Sequence, residues 1–371
     1  MKAGWQSKNL AEVLLKTETV NPLLKPEVEF DYIDVSSVSN QTFQIEETQQ
    51  LKGKDAPSRA RKLVKTDDIL FATIRPTLQR IAIVPAELNN QVCSTGYFVL
   101  RPNQNIHFKY LYFYLFSDFF MGQMEVLQKG ASYPAVTDNE VKSQNINFPS
   151  IQEQQRIVAI LDEAFEQIAI ARANTEKNLQ NARALFESYL HSIDAEEQEF
   201  GNFVSIKTGK LDANAAVEGG AYPFFTCSRD VYRIDKFAFD CEAILLAGNN
   251  ASGDFNVKHY IGKFNAYQRT YVITVNNESD ASYRYLYFQL LAKLKDFKKQ
   301  SVGSNTKFLK IGMIQGMKIP MPSFAEQQAI VIKLDGLLAE TQHLESIYQR
   351  KLTALDALKK SLLHKAFAGE L

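Results

Sequence analysis

One stretch of sequence occurs in two versions, first as Phe148-Pro-Ser-Ile-Gln-Glu-Gln-Gln-Arg-Ile-Val-Ala-Ile-Leu-Asp162 and, half a chain later, as Met321-Pro-Ser-Phe-Ala-Glu-Gln-Gln-Ala-Ile-Val-Ile-Lys-Leu-Asp335. This repeat determines the organisation of the fold. The constant offset between Pro149 and Pro322, called here the repeat offset, aligns further residues beyond these segments without a gap. It pairs Leu179 with Leu352, Leu185 with Leu358, Leu190 with Leu363 and His191 with His364. A period this long excludes a solenoid and indicates a duplicated unit.

Both repeats predict a long helix. Pro149 suits a first helical turn, and no further Pro or Gly occurs before Gly201. Apolar residues recur at alternating three- and four-residue steps, broken in the first repeat by a polar layer of Arg172 and Thr175. We expect two helices of roughly 65–70 Å that pack antiparallel; an ordinary amphipathic core helix is the alternative. The apolar positions of each helix form a stripe, called here the seam, along which the two helices pack. The seam of the second helix should continue through Leu358. The residues expected to pack in the seam or to bind a partner are Gln154, Val158, Leu161, Phe165, Ile168, Gln327, Leu334, Leu337, Leu344 and Leu355.

The segments before the helices predict two similar globular domains. Residues 1–148 combine short β-type runs at 69–74, 81–84 and 97–100 with one aromatic helix near 110–120. Residues 200–320 repeat this order, with runs at 243–247 and 271–275 and a helix near 283–294. The predicted fold is therefore α+β, with domains at 1–148 and 200–320, each followed by a repeated helix at 149–199 and 321–371. Because the second helix returns along the first, the two ends of the sequence are expected to lie close together.

The composition of the chain excludes several classes of protein. The chain has 371 residues, with 42 Lys+Arg against 42 Asp+Glu, and this balance excludes a uniformly basic coat for nucleic acid. Its 23% charged and 11% aromatic residues exclude a disordered chain. The three cysteines form no C-x-x-C pair, so we expect neither a disulfide framework nor a metal site. The start carries no apolar targeting segment and the apolar run 111–116 is too short to span a bilayer. We expect a cytoplasmic protein.

Charge is distributed unevenly along the chain. Segment 149–199 has 4 basic and 10 acidic residues, whereas 200–321 has 16 basic and 10 acidic residues. Two polar clusters lie in the domains: Ser58-Arg-Ala-Arg-Lys-Leu-Val-Lys65 with Arg75 and Arg80, and Gly248-Asn-Asn-Ala-Ser-Gly253 followed by Lys258, His259, Lys263 and Arg269. Arg and Asn side chains can bond base edges, while Lys and Ser reach phosphates. An ordinary solvated loop is the alternative for both clusters. The aromatic run near Tyr110 could stack on bases, although its helical spacing favours a domain core.

Common catalytic patterns are absent from the sequence. It has no G-x-x-x-x-G-K-[ST] loop, no G-x-G-x-x-G fingerprint and no G-x-S-x-G elbow. It also lacks the [DNS]-P-P-[YF] motif of adenine methyltransferases and a P-D…[DE]-x-K nuclease cluster. The five histidines are scattered. These absences favour binding over catalysis.

Several motifs together resemble the DNA-specificity subunits of type I restriction-modification systems. Pro-Ser-x-x-Glu-Gln-Gln at 149–155 and 322–328 is similar to the helix-opening motif of that family, and Ser361-Leu-Leu-His-Lys-Ala-Phe-Ala-Gly-Glu-Leu371 to its ending. Asp68-Ile-Leu-Phe-Ala-Thr-Ile-Arg-Pro76, with Ala56-Pro-Ser-Arg-Ala60 and Cys93-Ser-Thr-Gly-Tyr97, resembles one class of target-recognition domain. Ala247-Gly-Asn-Asn250 and Gly262-Lys-Phe-Asn-Ala-Tyr-Gln-Arg-Thr-Tyr271 resemble another.

The resemblance implies a non-catalytic subunit whose two domains each read one half of a bipartite, asymmetric target in double-stranded DNA. The helices would set the spacing between the halves and bind two methyltransferase subunits, and motor-nuclease restriction subunits would join them. S-adenosylmethionine, ATP and Mg would belong to those partners, with no cofactor on this chain. By motif position, the resemblance implies DNA contacts at Arg59, Arg61, Arg75, Lys129, Ser132, Tyr133, Ser228, Arg229, Asn249, Asn250, Ser252, Lys258, Ser304, Asn305 and Lys307.

Two other classes of function stay open at this point. A coiled-coil adaptor could join proteins without touching DNA, and an enzyme could carry an unfamiliar site in one domain. Salt-dependent, sequence-specific DNA binding separates the first from a specificity subunit. Methylation by the purified chain alone would favour the second.

Overall fold

The computed structural model describes residues 2 and 4–371 and divides into two compact units. Unit 1 comprises Met1–Asn174 and Arg350–Leu371, and unit 2 comprises Thr175–Gln349. Each unit contains one domain of mixed helices and strands together with part of both long helices. The predicted α+β fold, two similar domains with two long repeated helices, is confirmed.

The first domain contains two small sheets and a strand pair. One sheet is antiparallel in the order β6-β5-β8, and the other has the order β3-β2-β7-β4, in which β2 and β7 are parallel. Its elements are β1 (Gln6–Asn9), α1 (Leu10–Val13), β2 (Glu29–Ile33), β3 (Gln49–Lys52), β4 (Ala60–Leu63), β5 (Ile69–Ala72), β6 (Ile81–Ile83), β7 (Val92–Ser94), β8 (Tyr97–Leu100), α2 (Phe108–Tyr114), α3 (Asp118–Leu127), α4 (Asp138–Lys142) and β9 (Asn145–Phe148), followed by the long helix α5 (Ile151–His191).

The second domain is built around one larger sheet. Its order is β11-β17-β14-β16-β12-β13, antiparallel except where β12 and β16 meet. The elements are β10 (Glu197–Glu199), β11 (Val204–Thr208), β12 (Tyr222–Phe225), β13 (Tyr232–Ile234), β14 (Phe239–Ala247), β15 (Asn249–Asn250), β16 (Val257–Ala266), β17 (Thr270–Val275), α6 (Tyr283–Gln300), β18 (Lys307–Phe308), α7 (Ile311–Gln315) and β19 (Lys318–Pro320), followed by the long helix α8 (Phe324–Ala368).

Both domains join their long helix in the same way. The strand that enters each domain pairs antiparallel with the strand that leaves it, β1 with β9 and β10 with β19. Two buried tyrosines brace this junction: the hydroxyl of Tyr110 donates to the carbonyl of Asn147 at 2.9 Å, and that of Tyr285 to the carbonyl of Pro320 at 2.7 Å. The repeat in the sequence is therefore also a repeat of hydrogen bonds.

Gln154 and Gln327, both fully buried, fasten the start of each long helix to its own domain. Gln154 Oε1 accepts the N–H of His107 at 2.9 Å, and its Nε2 donates to the carbonyls of Asn105 at 2.9 Å and Pro149 at 3.0 Å. The partners of Gln327 are the N–H of Ser282 and the carbonyls of Asp280 and Pro322, at 2.9, 2.9 and 3.0 Å. Each amide thus satisfies three backbone groups that would otherwise lack a partner.

The long helices complete the apolar core of each unit. In unit 1, Leu161 of α5 and Phe367 of α8 pack in one cluster with Phe71 and Tyr110. In unit 2, Phe186 of α5, Leu334 of α8 and Phe288 of α6 form the corresponding cluster. Burial of large side chains on this scale supplies most of the free energy that holds a helix against a domain.

The predicted seam holds along both helices, apart from one turn. Val158, Leu161 and Leu334 are buried, and Thr175 of the polar layer is 1% exposed. The remaining predicted seam residues, Phe165, Ile168, Leu337, Leu344 and Leu355, are half-buried.

The prediction for Leu358 is wrong, because this side chain is 46% exposed and its neighbour Lys359 is the half-buried residue instead. The ammonium of Lys359 lies over the rings of Phe43, Phe116 and Phe165, called here the three-ring cluster, at 4.7, 6.0 and 5.2 Å from their centroids. Aromatic faces attract a cation and cover its aliphatic stem, so a lysine replaces a leucine at this turn. Burial lowers the pKa of Lys359 below its ordinary value.

The single aromatic helix predicted near Tyr110–Phe120 is also corrected, because the structure has two, α2 and α3. Ser117 separates them: its hydroxyl donates to the carbonyl of Tyr114 at 2.7 Å and accepts the N–H of Phe120 at 3.4 Å, capping α3. Tyr110, Phe113 and Tyr114 are buried, so this segment forms domain core.

The two ends of the sequence lie close together, as expected. A Cβ placed on Gly369 would come within 3.0 Å of the side chain of Lys2. Within the described residues, the helices lack the combination of length and apolar character needed to cross a membrane.

Candidate nucleic-acid interface

The loop 129–135, just before α4, presents polar side chains on a closed turn. Backbone hydrogen bonds of 2.9 Å run in both directions between Lys129 and Ala135. Gly130 has a φ of 109°, and a Cβ there would lie 3.0 Å from the carbonyl oxygen of Tyr133, so the turn requires glycine. Ser132 and Tyr133 are exposed at its tip, Tyr133 by 71%.

Arg75 lies against this loop although the two are distant in sequence. Its N–H donates to the carbonyl of Pro134 at 2.6 Å, and its guanidinium donates to the carbonyl of Ser132 at 3.1 Å. The guanidinium also lies over the ring of Tyr133, 4.9 Å from the centroid. Arg75 has a φ of 50°, a left-handed conformation that is uncommon outside glycine and that these contacts hold in place. Three predicted DNA contacts therefore form one exposed patch.

The other predicted basic contacts of the first domain differ in their exposure and in their hydrogen-bond partners. Lys129 is 82% exposed and its ion pair with Glu140, at 3.2 Å, is of the weak surface type. Arg59 is exposed beside the turn at Thr95, whose N–H it binds through its carbonyl at 2.9 Å. Arg61 is half-buried, and its guanidinium turns back to the carbonyl of Ala60 at 2.9 Å.

The second domain contains the same construction at the repeat-related place. Backbone hydrogen bonds of 3.2 and 2.8 Å close the loop 302–308 between Val302 and Phe308. Gly303 has a φ of 116°, and a Cβ there would lie 2.0 Å from the carbonyl oxygen of Thr306. Ser304 and Asn305 are exposed at the tip, while Lys307 is half-buried.

Asn249 and Asn250 take the place that Ile74 and Arg75 hold in the first domain. Asn249 pairs with Phe308 and Asn250 with Lys307 in the short β15-β18 ladder, just as Ile74 bridges Ala135. The Oδ1 of Asn250 accepts the N–H and the hydroxyl of Ser252 at 2.9 and 3.0 Å, and the N–H of Asp254 at 3.0 Å. Asn250 and Ser252 therefore shape the loop that carries Asn249.

Ser228, Arg229 and Lys258 form the support of this loop. Arg229, 73% exposed, pairs with Asp254 at 2.6 Å. Lys258 Nζ donates to the carbonyl of Ser228 at 2.7 Å and also to the Oδ1 of Asn256. Burial lowers the pKa of Lys258 below its ordinary value. Its ammonium thus stabilises the turn at Ser228 through this hydrogen bond.

The structure adds to this site two donors that the polar clusters did not include, Gln268 and Lys310, and brings them together with Arg269 of the second polar cluster. A cavity of about 800 Å³ beside the 302–308 loop is lined by residues that include Gln268, Arg269 and Lys310, all exposed. The guanidinium of Arg269 lies over the ring of Phe308, 5.8 Å from the centroid. The arginine was visible in the sequence as part of the second polar cluster, but only the fold pairs it with the loop.

The two sites share a chemistry suited to nucleic acid. Each offers guanidinium, ammonium, amide or hydroxyl donors on a loop closed by backbone hydrogen bonds, and the first adds the exposed Tyr133 ring. Arg and Asn can read base edges, and Lys and Ser hydroxyls can bind phosphate oxygens. Among residues 2 and 4–371, the structure brings together no group of three or more His, Cys, Asp or Glu side chains able to hold a metal.

Comparisons with known proteins agree with this chemistry. The family model described as "Type I restriction modification DNA specificity domain" matches residues 2–181 and 193–352. The chain is similar to the type I restriction enzyme EcoDI specificity subunit of Escherichia coli, 40% identical over 182 residues, covering 48% of this chain and 39% of that protein. It is also similar to the HindI specificity subunit of Haemophilus influenzae, 31% identical over 172 residues, covering 45% of this chain and 38% of that protein. The matches thus span less than half the length of these two relatives.

Two solved structures share the architecture along the whole chain. A chain from a study of complex assembly and conformational transition of the type I R-M system matches with a TM-score of 0.86 at 26% identity, covering 100% of this chain and 99% of that one. The HsdS subunit from Thermoanaerobacter tengcongensis matches with a TM-score of 0.63, also at 26% identity, covering 100% and 98%.

Proposed function

Because this chain belongs to the type I restriction-modification DNA specificity family, we propose that it acts as the DNA specificity subunit of such a system. Each domain recognises one half of a bipartite, asymmetric duplex target, and the long helices set the distance between the halves. The chain acts in the cytoplasm and performs no catalysis. S-adenosylmethionine, ATP and Mg are bound by its partner subunits.

The observation that carries this proposal is that one site is built twice. Gly130 and Gly303 turn equivalent loops; Ile74, which precedes Arg75, bridges the first loop at Ala135, and Asn249 pairs with the second loop at Phe308. The backbones of the two loops are built alike, but the side chains on them differ. This arrangement suits two domains that read different sequences with the same geometry. The different pairings of Arg with guanine and Asn with adenine give this difference a chemical basis.

The long helices also serve as docking surfaces for two methyltransferase subunits, which the restriction subunits then join. Leu185 on α5 and Leu358 on α8 are related by the repeat offset and are 60% and 46% exposed. Two equivalent apolar side chains on the outer faces of the helices support two equivalent docking positions.

DNA binding by the assembled methyltransferase complex tests the proposal. The target is first defined by sequencing modified adenines in the host genome, and duplexes carrying it are then titrated at several salt concentrations. We expect specific binding that weakens with rising salt, as phosphate contacts require. Arg75→Ala and Asn249→Ala should each lower affinity for the target by roughly 5- to 100-fold, the value of a base contact.

Lys318→Ala provides the matched control. Lys318 is a 54% exposed lysine of the second domain that pairs with Glu199 on the β10-β19 ladder, away from the loops, so its loss should leave binding unchanged. Arg59→Ala, at the turn beside Thr95, should weaken binding less than Arg75→Ala. If the complex binds target and unrelated duplexes equally, or if both loop variants bind as the wild type does, the proposal fails.

A further inference from the structure

Two ion pairs between α5 and α8 occupy repeat-equivalent positions. In unit 1, Arg172 of α5 pairs with Asp356 of α8. In unit 2, Arg183 Nε of α5 pairs with Glu345 Oε1 of α8 at 2.5 Å. The repeat offset carries Arg183 onto Asp356 and Arg172 onto Glu345. One cross-helix contact is therefore made twice, and on both occasions α5 supplies the arginine and α8 the carboxylate.

Part of the apolar seam is the same in both helices. The repeat offset superimposes leucine on leucine at several seam positions, namely Leu161 with Leu334, Leu179 with Leu352 and Leu190 with Leu363. At these positions, a helix that packs against α8 would meet the same side chains on α5 of a second copy of the chain. Charges beside the seam are the usual means by which paired helices select partners.

The four charged residues supply this selection. If α5 paired with α5 of a second copy in the observed register, Arg172 would face Arg183 of that copy, twice by symmetry. If α8 paired with α8, Glu345 would face Asp356. We propose that these residues form a charge code that pairs α5 with α8 of the same chain and opposes self-pairing of either helix.

A charge exchange that preserves net charge tests the code. In Arg172→Glu/Glu345→Arg, both native contacts become repulsive, while α5–α5 and α8–α8 pairing between two chains becomes attractive. Full-length chains with two different tags are co-expressed, and the fraction recovered through both tags is measured at low and high salt. We expect mixed dimers to rise by roughly tenfold or more at low salt and to fall at high salt, because the pairs are partly exposed.

The matched control contains the same two substitutions. Arg172→Glu/Arg183→Glu/Glu345→Arg/Asp356→Arg reverses every sign, so α5–α8 pairing is again attractive and self-pairing repulsive. This variant should return to the wild-type level of mixed dimers. The proposal is overturned if the double variant dimerises no more than the wild type, or if the fourfold variant dimerises as much as the double variant.

A second arm keeps the test valid if the double variant does not fold. Arg183→Glu should lower the melting temperature of the full chain by placing two acids face to face. Adding Glu345→Arg should restore it, because the pair is re-formed with reversed sign. Equal melting temperatures for the single and the restored variant contradict the code.

Discussion

Gln154→Leu should destabilise unit 1 by about 3 kcal/mol. Leucine keeps most of the volume of glutamine, so the loss comes from the N–H of His107 and the carbonyls of Asn105 and Pro149, which no longer have a partner. An unsatisfied buried group costs roughly 1–3 kcal/mol, and we take the lower end because two of the three bonds lie in partly buried surroundings. For a unit of this size, that loss lowers the melting temperature by roughly 6–12 °C.

Differential scanning calorimetry of the full chain measures this effect. The adjacent Gln155 is exposed, so Gln155→Leu is the matched control and should change the free energy of unfolding by no more than about 0.5 kcal/mol. Gln327→Leu should reproduce the loss in unit 2, with Gln328→Leu as its control. If Gln154→Leu melts within about 1 °C of Gln155→Leu, the buried amide does not fasten the helix as described.

Three further outcomes are expected. Gly303→Ala should abolish target binding with little loss of fold, because its Cβ would strike a carbonyl in an exposed loop, whereas Gly122→Ala, with open space around its Cβ in α3, should bind normally and raise the urea midpoint. Phe43→Ala should cost about 1–2 kcal/mol in urea unfolding, because the three-ring cluster loses one face over its lysine. Hydrogen bonds from Arg101 and Lys65 hold the pKa of Glu18 at about 2, below its ordinary 4.5. The stabilising effect of Glu18 should therefore be present above pH 4.5 and lost as pH falls towards 2. Glu18→Gln should remove that part of the pH dependence of the urea midpoint.

The long helices were predictable because their evidence is local and periodic. A repeated opening motif, a long stretch without Pro or Gly, and apolar steps of three and four residues specify a helix and its buried face. The prediction for Leu358 failed for a physical reason that a helical sequence pattern does not contain. The rings that attract Lys359 come from a loop at Phe43, from the turn after α2 at Phe116 and from α5 at Phe165.

The candidate site was predictable in residue type but not in arrangement. The sequence marked Arg75 and the 129–135 loop separately, and only the fold brings them into hydrogen-bond contact. It also marked Lys258 as a DNA contact, and the structure adds that its half-buried ammonium donates to the Ser228 carbonyl. Such differences depend on contacts between strands far apart in sequence. The contacts of these residues with DNA stay predictions.

We propose above that each domain reads its own half of one target. Sequencing of modified adenines in cells that express the complex with Asn249→Ala/Lys307→Ala in the second domain tests it most directly. One half of the bipartite motif should become degenerate, while the other half and the spacing between them should stay as in the wild type. Equal loss of specificity in both halves, or an unchanged motif, would contradict it.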